Sequence, residues 1–335
     1  MAIGFDRRQF LGTSSAFLAA APVTAVRQGS SYAVVGEVQR LDPALDVLID
    51  ADAVVEKVFD GLTWSEGPCW VGGPDGYLLI SDVPGNVIHR WTAADGLSPW
   101  LAPSGYEGPA DPGLREPGTN GLIQARGGLV AADSGGRRIV HIDLDTRLKT
   151  PLCTHFEGRR FNSPNDLVLA SDGAIYFTDP PYGLTGVLES PLRELPYTGV
   201  FRLDPDNTVT LLDDEVMPNG IGLSPDGRTL YATDRRGWVA WNLHLNSQPG
   251  QRRTLIDREE TGILGGDGFK VDSVGNLWAS SRDGVSIFQD GRRIGIITSD
   301  DVISNCELAA DGHLYISSNH AVVRVRVRAS KLTFQ

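Results

Sequence analysis

Apolar residues along this chain alternate with polar ones in runs of four to eight residues, from about Val55 to about Val327. That is the period of half-buried β-strands, and no long stretch with helical period interrupts it. Between the runs stand clusters of Gly, Pro, Asp and Asn. One kind of junction recurs six times: Pro74-Asp75-Gly76-Tyr77, Arg126-Gly127-Gly128-Leu129, Ser171-Asp172-Gly173-Ala174, Pro225-Asp226-Gly227-Arg228, Ser273-Val274-Gly275-Asn276 and Ala310-Asp311-Gly312-His313. Each puts a glycine between two apolar runs, the strongest short-range hairpin signal, because the turn needs positive φ and Gly supplies it without a steric penalty. The junctions return roughly every 37–54 residues, the spacing of propeller blades. One blade per junction predicts an all-β, six-bladed β-propeller.

A chain of 335 residues could hold two domains, but propellers run long as one. Residues 31–335 are therefore expected to form a single domain, with the fold beginning near Val35. Two stretches break the strand rhythm, Pro103 to Gly118 and Pro180 to Tyr197. Long loops without secondary structure of their own are commonly functional, so both are expected at the rim, as a lid. The last alternating run, Ala321 to Val327, is expected to close the ring by pairing into the first blade, since a closed propeller protects its edges.

The formal net charge of −12 argues against nucleic acid, whose phosphates demand a basic face. It suits a protein that holds a cation or handles neutral or anionic small molecules. The three cysteines, Cys69, Cys153 and Cys306, form no Cys-x-x-Cys pair and are expected to be small buried residues. At the N-terminus, Asp6-Arg7-Arg8-Gln9-Phe10-Leu11-Gly12 precedes a mildly apolar run and the small residues Ala21 to Ala25. This resembles a bacterial twin-arginine export signal over residues 1–30, which implies export of a folded protein to the periplasm. The apolar run is too short to span a bilayer, and no later segment reads as a membrane helix.

Several catalytic signatures are missing. The expected mature part has no Gly-x-Ser-x-Gly elbow, no His-Glu-x-x-His and no phosphate-cradling loop. Its histidines are scattered, with only His320, after the last blade's Ser317-Ser318-Asn319, worth following. What recurs instead is an acid or amide just ahead of every hairpin: Glu66 in Ser65-Glu66-Gly67-Pro68, Asn120 in Thr119-Asn120-Gly121, Asn165 in Pro164-Asn165-Asp166, Asn219 in Pro218-Asn219-Gly220, Asp267 in Gly266-Asp267-Gly268, and Asn305 with Glu307 in Ser304-Asn305-Cys306-Glu307. The innermost strand of each blade lines the central channel, so equivalent positions converge on one axis. Oxygen donors of this kind suit calcium, whereas zinc would prefer His and Cys. Asn and Asp before Gly are also ordinary turn formers. That explains any one of these pairs but not their common offset. Asp204-Pro205-Asp206-Asn207 lacks the Gly and distal Glu of a calcium loop and reads as a hairpin tip.

Taken together, Ser65-Glu66-Gly67-Pro68, Thr119-Asn120-Gly121-Leu122, Asn162-Ser163-Pro164-Asn165-Asp166, Tyr176-Phe177-Thr178-Asp179-Pro180-Pro181-Tyr182-Gly183, Pro218-Asn219-Gly220-Ile221 and Gly266-Asp267-Gly268 resemble the gluconolactonase–regucalcin family of six-bladed propellers. The resemblance implies a divalent cation, usually calcium, in the channel and hydrolysis of a small-molecule sugar lactone. It implies Glu66, Asn219 and Asp267 as metal ligands, with Asn165 bound directly or through water. It also implies Asp267 as catalytic acid/base, and Asn120 and Asn165 as substrate contacts; direct attack by Asp267 to form an acyl-enzyme is the mechanistic rival. Some members carry an Arg two residues before the third-blade Asn. Ser163 stands there in this chain, with Arg159 and Arg160 the nearest arginines. An esterase or phosphotriesterase at the same centre, or a non-catalytic binding platform, are the alternatives.

Overall fold

In the computed structural model, residues 32–244 and 249–332 are described. The export-type leader and the first residue assigned to the domain lie outside them. The strands form six main antiparallel sheets plus the two-stranded ribbon His155–Phe156 and Arg159–Arg160. Going round, the innermost strands are Ser65–Val71, Leu122–Ala125, Leu167–Leu169, Ile221–Leu223, Phe269–Val271 and Ile303–Leu308. Each touches the next, and the last returns to the first, so the ring is closed. All six hairpin junctions join a blade's first strand to its second, as expected. Gly173, Gly227, Gly275 and Gly312 sit at φ between 68° and 97°. In blades three, four and six a Gly N–H closes the turn while the preceding Asp accepts from the backbone N–H just beyond it. Blade one differs: Gly76 is not in the left-handed region, and Gly72 takes that conformation instead.

Ring closure departs from expectation. Ala321–Arg326 does not reach blade one. It is the third strand of its own blade, and the outermost place is filled from the other end of the chain by Val55–Asp60, with Val323 opposite Lys57 and Arg324 opposite Glu56. The pairing is reinforced by Arg324 Nε to Glu56 at 3.1 Å. The same N-terminal region adds Ala33–Gly36 outside blade six and Val38–Arg40 outside blade five, giving both blades a fifth strand. Splitting one blade between the two ends of the chain leaves no inner strand unpaired, which alternation along a single segment could not reveal.

Among the described residues the buried apolar side chains form six clusters, one between each pair of neighbouring blades. The blade two–three cluster is aromatic: Phe201 stacks on Phe177 at 5.3 Å and meets Phe156 and Phe161 edge-on at 5.4 Å. Phe201 is fully buried. Phe201→Ala is therefore expected to destabilise the fold by about 3–5 kcal/mol. Urea unfolding checks this, and a loss below about 1 kcal/mol would contradict the packing described.

Candidate active site

Each inner strand begins at one mouth of the channel with the acid or amide singled out above. Aspartates at the ends of second strands anchor three of the entering segments. Asp82 accepts from the Thr63 N–H at 2.9 Å, Asp179 from Asn162 at 2.8 Å and Asp234 from Met217 at 3.1 Å. These bonds fix the approach to Glu66, Asn165 and Asn219.

Neighbouring blades are then stitched together at the level of those residues. Gly121 N–H donates to the Asn165 carbonyl at 2.7 Å, Gly220 to Asp267 at 3.1 Å and Gly268 to Ser304 at 2.8 Å. Hydroxyls of one blade reach the next: Ser81 to the Asn120 carbonyl at 2.8 Å, Thr178 to Asn219 at 2.7 Å, Thr233 to Asp267 at 2.7 Å and Ser304 to Ser65 at 2.7 Å. The glycines after Glu66, Asn120 and Asn219 are therefore not hairpin formers. A Cβ on Gly67 would lie 2.1 Å from the Asn120 carbonyl oxygen, and one on Gly220 would lie 2.5 Å from that of Asp267. Glycine is required there because two backbones approach closely, so the turn explanation of these pairs does not hold.

The belt brings Glu66, Asn120, Asn165, Asn219 and Asp267 to one level of the ring. Asn120 and Asn165 are buried. The Asn219 side chain lies beside Asp267 and favours its ionised form, and the Asn219 Oδ1 is buried with no partner. Burial raises the Glu66 carboxyl well above its usual range, and the nearby Asp267 raises it further. Asp267 is itself pushed up to about 7, first by burial, then by the charges of Glu116 and Asp166, against the Asn219 amide, which favours its ionised form. The Asp267 residue is half-buried.

Sequence reasoning passed over two further groups, Asp166 and Glu116, and gave Asn305 no role of its own. Asp166, quoted only as part of a motif, is buried with Oδ2 unpartnered. Asn305 donates to Glu66 Oε2 at 3.4 Å. Glu116 is a third acid near Asp267; it is delivered by the first rim insertion, and burial raises it too. The two insertions do pair with each other, the Arg115 and Glu116 N–H groups both donating to the Gly183 carbonyl at 2.9 and 3.1 Å. Tyr182, on the second insertion, feels the Asp267 charge, and its phenol is pushed up to about 12, mainly by burial. Loops read only as irregular carry no pattern that singles out Glu116 or Tyr182.

Other expectations resolve away from the channel. His320 Nδ1 pairs with the Leu62 carbonyl at 3.0 Å. Asp204 and Asn207 form a hairpin tip. All three cysteines are buried and unpaired, their thiols pushed up to about 12 by burial. Ser163, in place of an arginine, donates to the Pro180 carbonyl at 2.6 Å and accepts from Gly183 N–H at 2.9 Å, so it holds the second insertion. Arg160 reaches the Gly136 carbonyl and Arg159 the Glu194 carbonyl, both outside the acid ring.

Among the described residues no three His, Cys, Asp or Glu side chains form a metal-holding group. Any cation at this level would need amide oxygens beside the carboxylates. The unpartnered Asn219 Oδ1 and the all-oxygen donor set fit a hard cation and not zinc.

Residues 64–320 match the family model described as the SMP-30/Gluconolactonase/LRE-like region. A gluconolactonase of Zymomonas mobilis subsp. mobilis is 40% identical over 336 residues, covering 93% of this chain and 94% of its own. The chain belongs to the SMP-30/gluconolactonase/LRE-like family. Among solved structures, a gluconolactonase from Xanthomonas campestris superposes with TM-score 0.75 at 30% identity, over 92% of this chain and 99% of that one. Regucalcin from Agrobacterium tumefaciens, described as a calcium-binding protein, shares the fold with TM-score 0.62 at 17% identity, over 82% of this chain and 95% of that one. The six-bladed ring is thus the family's propeller.

Proposed function

We propose that this chain is a gluconolactonase-like hydrolase that opens a sugar lactone at the head of its channel with the help of a divalent cation, calcium by donor chemistry. The observation that carries this reading is the meeting of Glu66, Asp267 and the unpartnered Asn219 amide oxygen at one mouth of the ring. Glu66, Asn219 and Asp267 would hold the ion, with Asn165 bound directly or through water. When bound, the ion supplies Lewis-acid stabilisation of charge developing on the lactone carbonyl oxygen, worth several kcal/mol.

The chain's own residues do the rest. Asp267, ionised beside the cation, would serve as the carboxylate base. It takes a proton from the attacking water as the water oxygen bonds to the acyl carbon. It returns that proton to the ring oxygen as the acyl C–O bond breaks, leaving the open hydroxy acid. Asn120 and Asn165 contact the substrate through their amides, and the paired insertions bearing Glu116 and Tyr182 cover the site and limit water. Residues 1–30 act as a twin-arginine-type leader, which would put this chemistry in the periplasm.

Initial rates measured by pH-stat on gluconolactone, other aldonolactones, homoserine lactones and aryl esters test the reading. Stripping metal with chelator is expected to abolish hydrolysis of the preferred lactone, and calcium to restore it. Full activity after verified metal removal would overturn the cation's role. Preference for aryl esters over every lactone would overturn the substrate class.

A further inference from the structure

Just beyond the acid belt an inner strand carries a lysine. Lys270 belongs to the fifth inner strand and is 19% exposed along its side chain. Its ammonium donates to Asn305 Oδ1 at 3.2 Å and to the Phe269 carbonyl at 3.2 Å, and it stands 4.0 Å from Asp166 Oδ2. Below it the channel widens into a cavity of about 890 Å³ at the opposite mouth, walled by the far ends of the inner strands and crossed by the tail around Lys331. This larger space is not at the acids. Lys331 there pairs with buried Glu307 at 2.5 Å. Lys270 therefore stands at the boundary between the acid-lined head of the channel and the rest.

The contacts of Asn305 give that position a consequence. Its Oδ1 accepts from two donors, the Cys306 N–H at 2.9 Å and Lys270 Nζ. An amide oxygen held by two donors fixes the orientation of the whole group. The amide nitrogen must then face the other way, where it donates to Glu66 Oε2 at 3.4 Å. The amide packs directly on Gly268, where a Cβ would lie 2.1 Å from Asn305 Cγ. With Lys270 removed, one of the two donors that select this orientation is lost, and the Asp166 carboxylate loses its cationic neighbour.

We infer that Lys270, acting through Asn305, is a positioning residue that holds Glu66 in its cation-binding pose from the far side of the channel. The inference rests on the cation-assisted reading above. Partners that orient metal ligands from behind typically change metal affinity 10–100-fold when removed.

The test is calcium affinity by isothermal titration on the full chain, with folding verified by circular dichroism, for wild type, Lys270→Met, Asn305→Ala, the double variant and Lys270→Gln. K270M and N305A are each expected to weaken calcium binding roughly 10–100-fold. The double variant should be no weaker than the worse single, since both act along one path. K270Q, which keeps a donor for Asn305 Oδ1, should recover part of the loss. Additive losses in the double variant would overturn the path through Asn305. Unchanged affinity in K270M, with wild type binding calcium, would overturn the inference alone. A wild type that binds no divalent cation would instead sink the reading it rests on. Should K270M not fold, N305A decides, because unchanged affinity there removes Asn305 from the path.

Discussion

Asp267→Asn is expected to lower kcat/KM for lactone opening by roughly a thousandfold or more, since it removes a proton acceptor and one of two carboxylates at the cation level. Asparagine keeps the size and can still meet the Asn219 side chain, so the fold should survive. Melting temperature measured beside the pH-stat rate separates lost chemistry from lost structure. Activity within tenfold of wild type would rule Asp267 out as base and as nucleophile alike. The two roles part in a single turnover in heavy-oxygen water. Label appearing in Asp267 marks an acyl-enzyme opened at the Asp267 carbonyl carbon, which direct attack by water cannot produce.

Calcium affinity is expected to fall as pH drops. Burial and neighbouring acids hold the folded Asp267 carboxyl near 7 in the metal-free protein, and Glu66 is raised as well. Cation binding must displace those protons, so affinity should fall by up to about tenfold per pH unit for each proton displaced below neutrality. Isothermal titration at pH 8 and pH 5.5 is expected to differ by roughly tenfold or more. Equal affinities would mean that these carboxylates do not bind the ion. Stability of the metal-free chain follows the same shift. Unfolded, Asp267 ionises near 3.8; folded, near 7. Between those values the unfolded state holds fewer protons, so the Asp267 contribution favours folding most below about pH 4 and is lost as pH rises to about 7. Asp179, also pushed up to about 7 by burial, adds in the same direction. Chelated protein should therefore melt lower at pH 8 than at pH 5, with calcium recovering more at pH 8.

Much of the architecture was written locally. Asp226-Gly227 and its counterparts specify hairpins through the backbone of a few adjacent residues, so the blade count could be read without contacts. The offset of Glu66, Asn120, Asn165, Asn219 and Asp267 from those hairpins put them at one level of the ring for the same reason. The role of the glycines that follow some of them was not legible. The space between Gly67 and the Asn120 carbonyl exists only once two blades meet. Glu116 and Tyr182 escaped notice because irregular loops have no period against which a functional position stands out.

What the sequence determined by itself was therefore an all-β chain of six repeats carrying oxygen donors at a common position, because turn chemistry and strand alternation act over a handful of residues. Tertiary structure alone decided which strand closes the ring, that Ser163 holds the second insertion, and that Lys270 reaches Asn305 across 35 positions of the chain. Those outcomes depend on distances between segments far apart in sequence, and a one-dimensional pattern holds no measure of such distances.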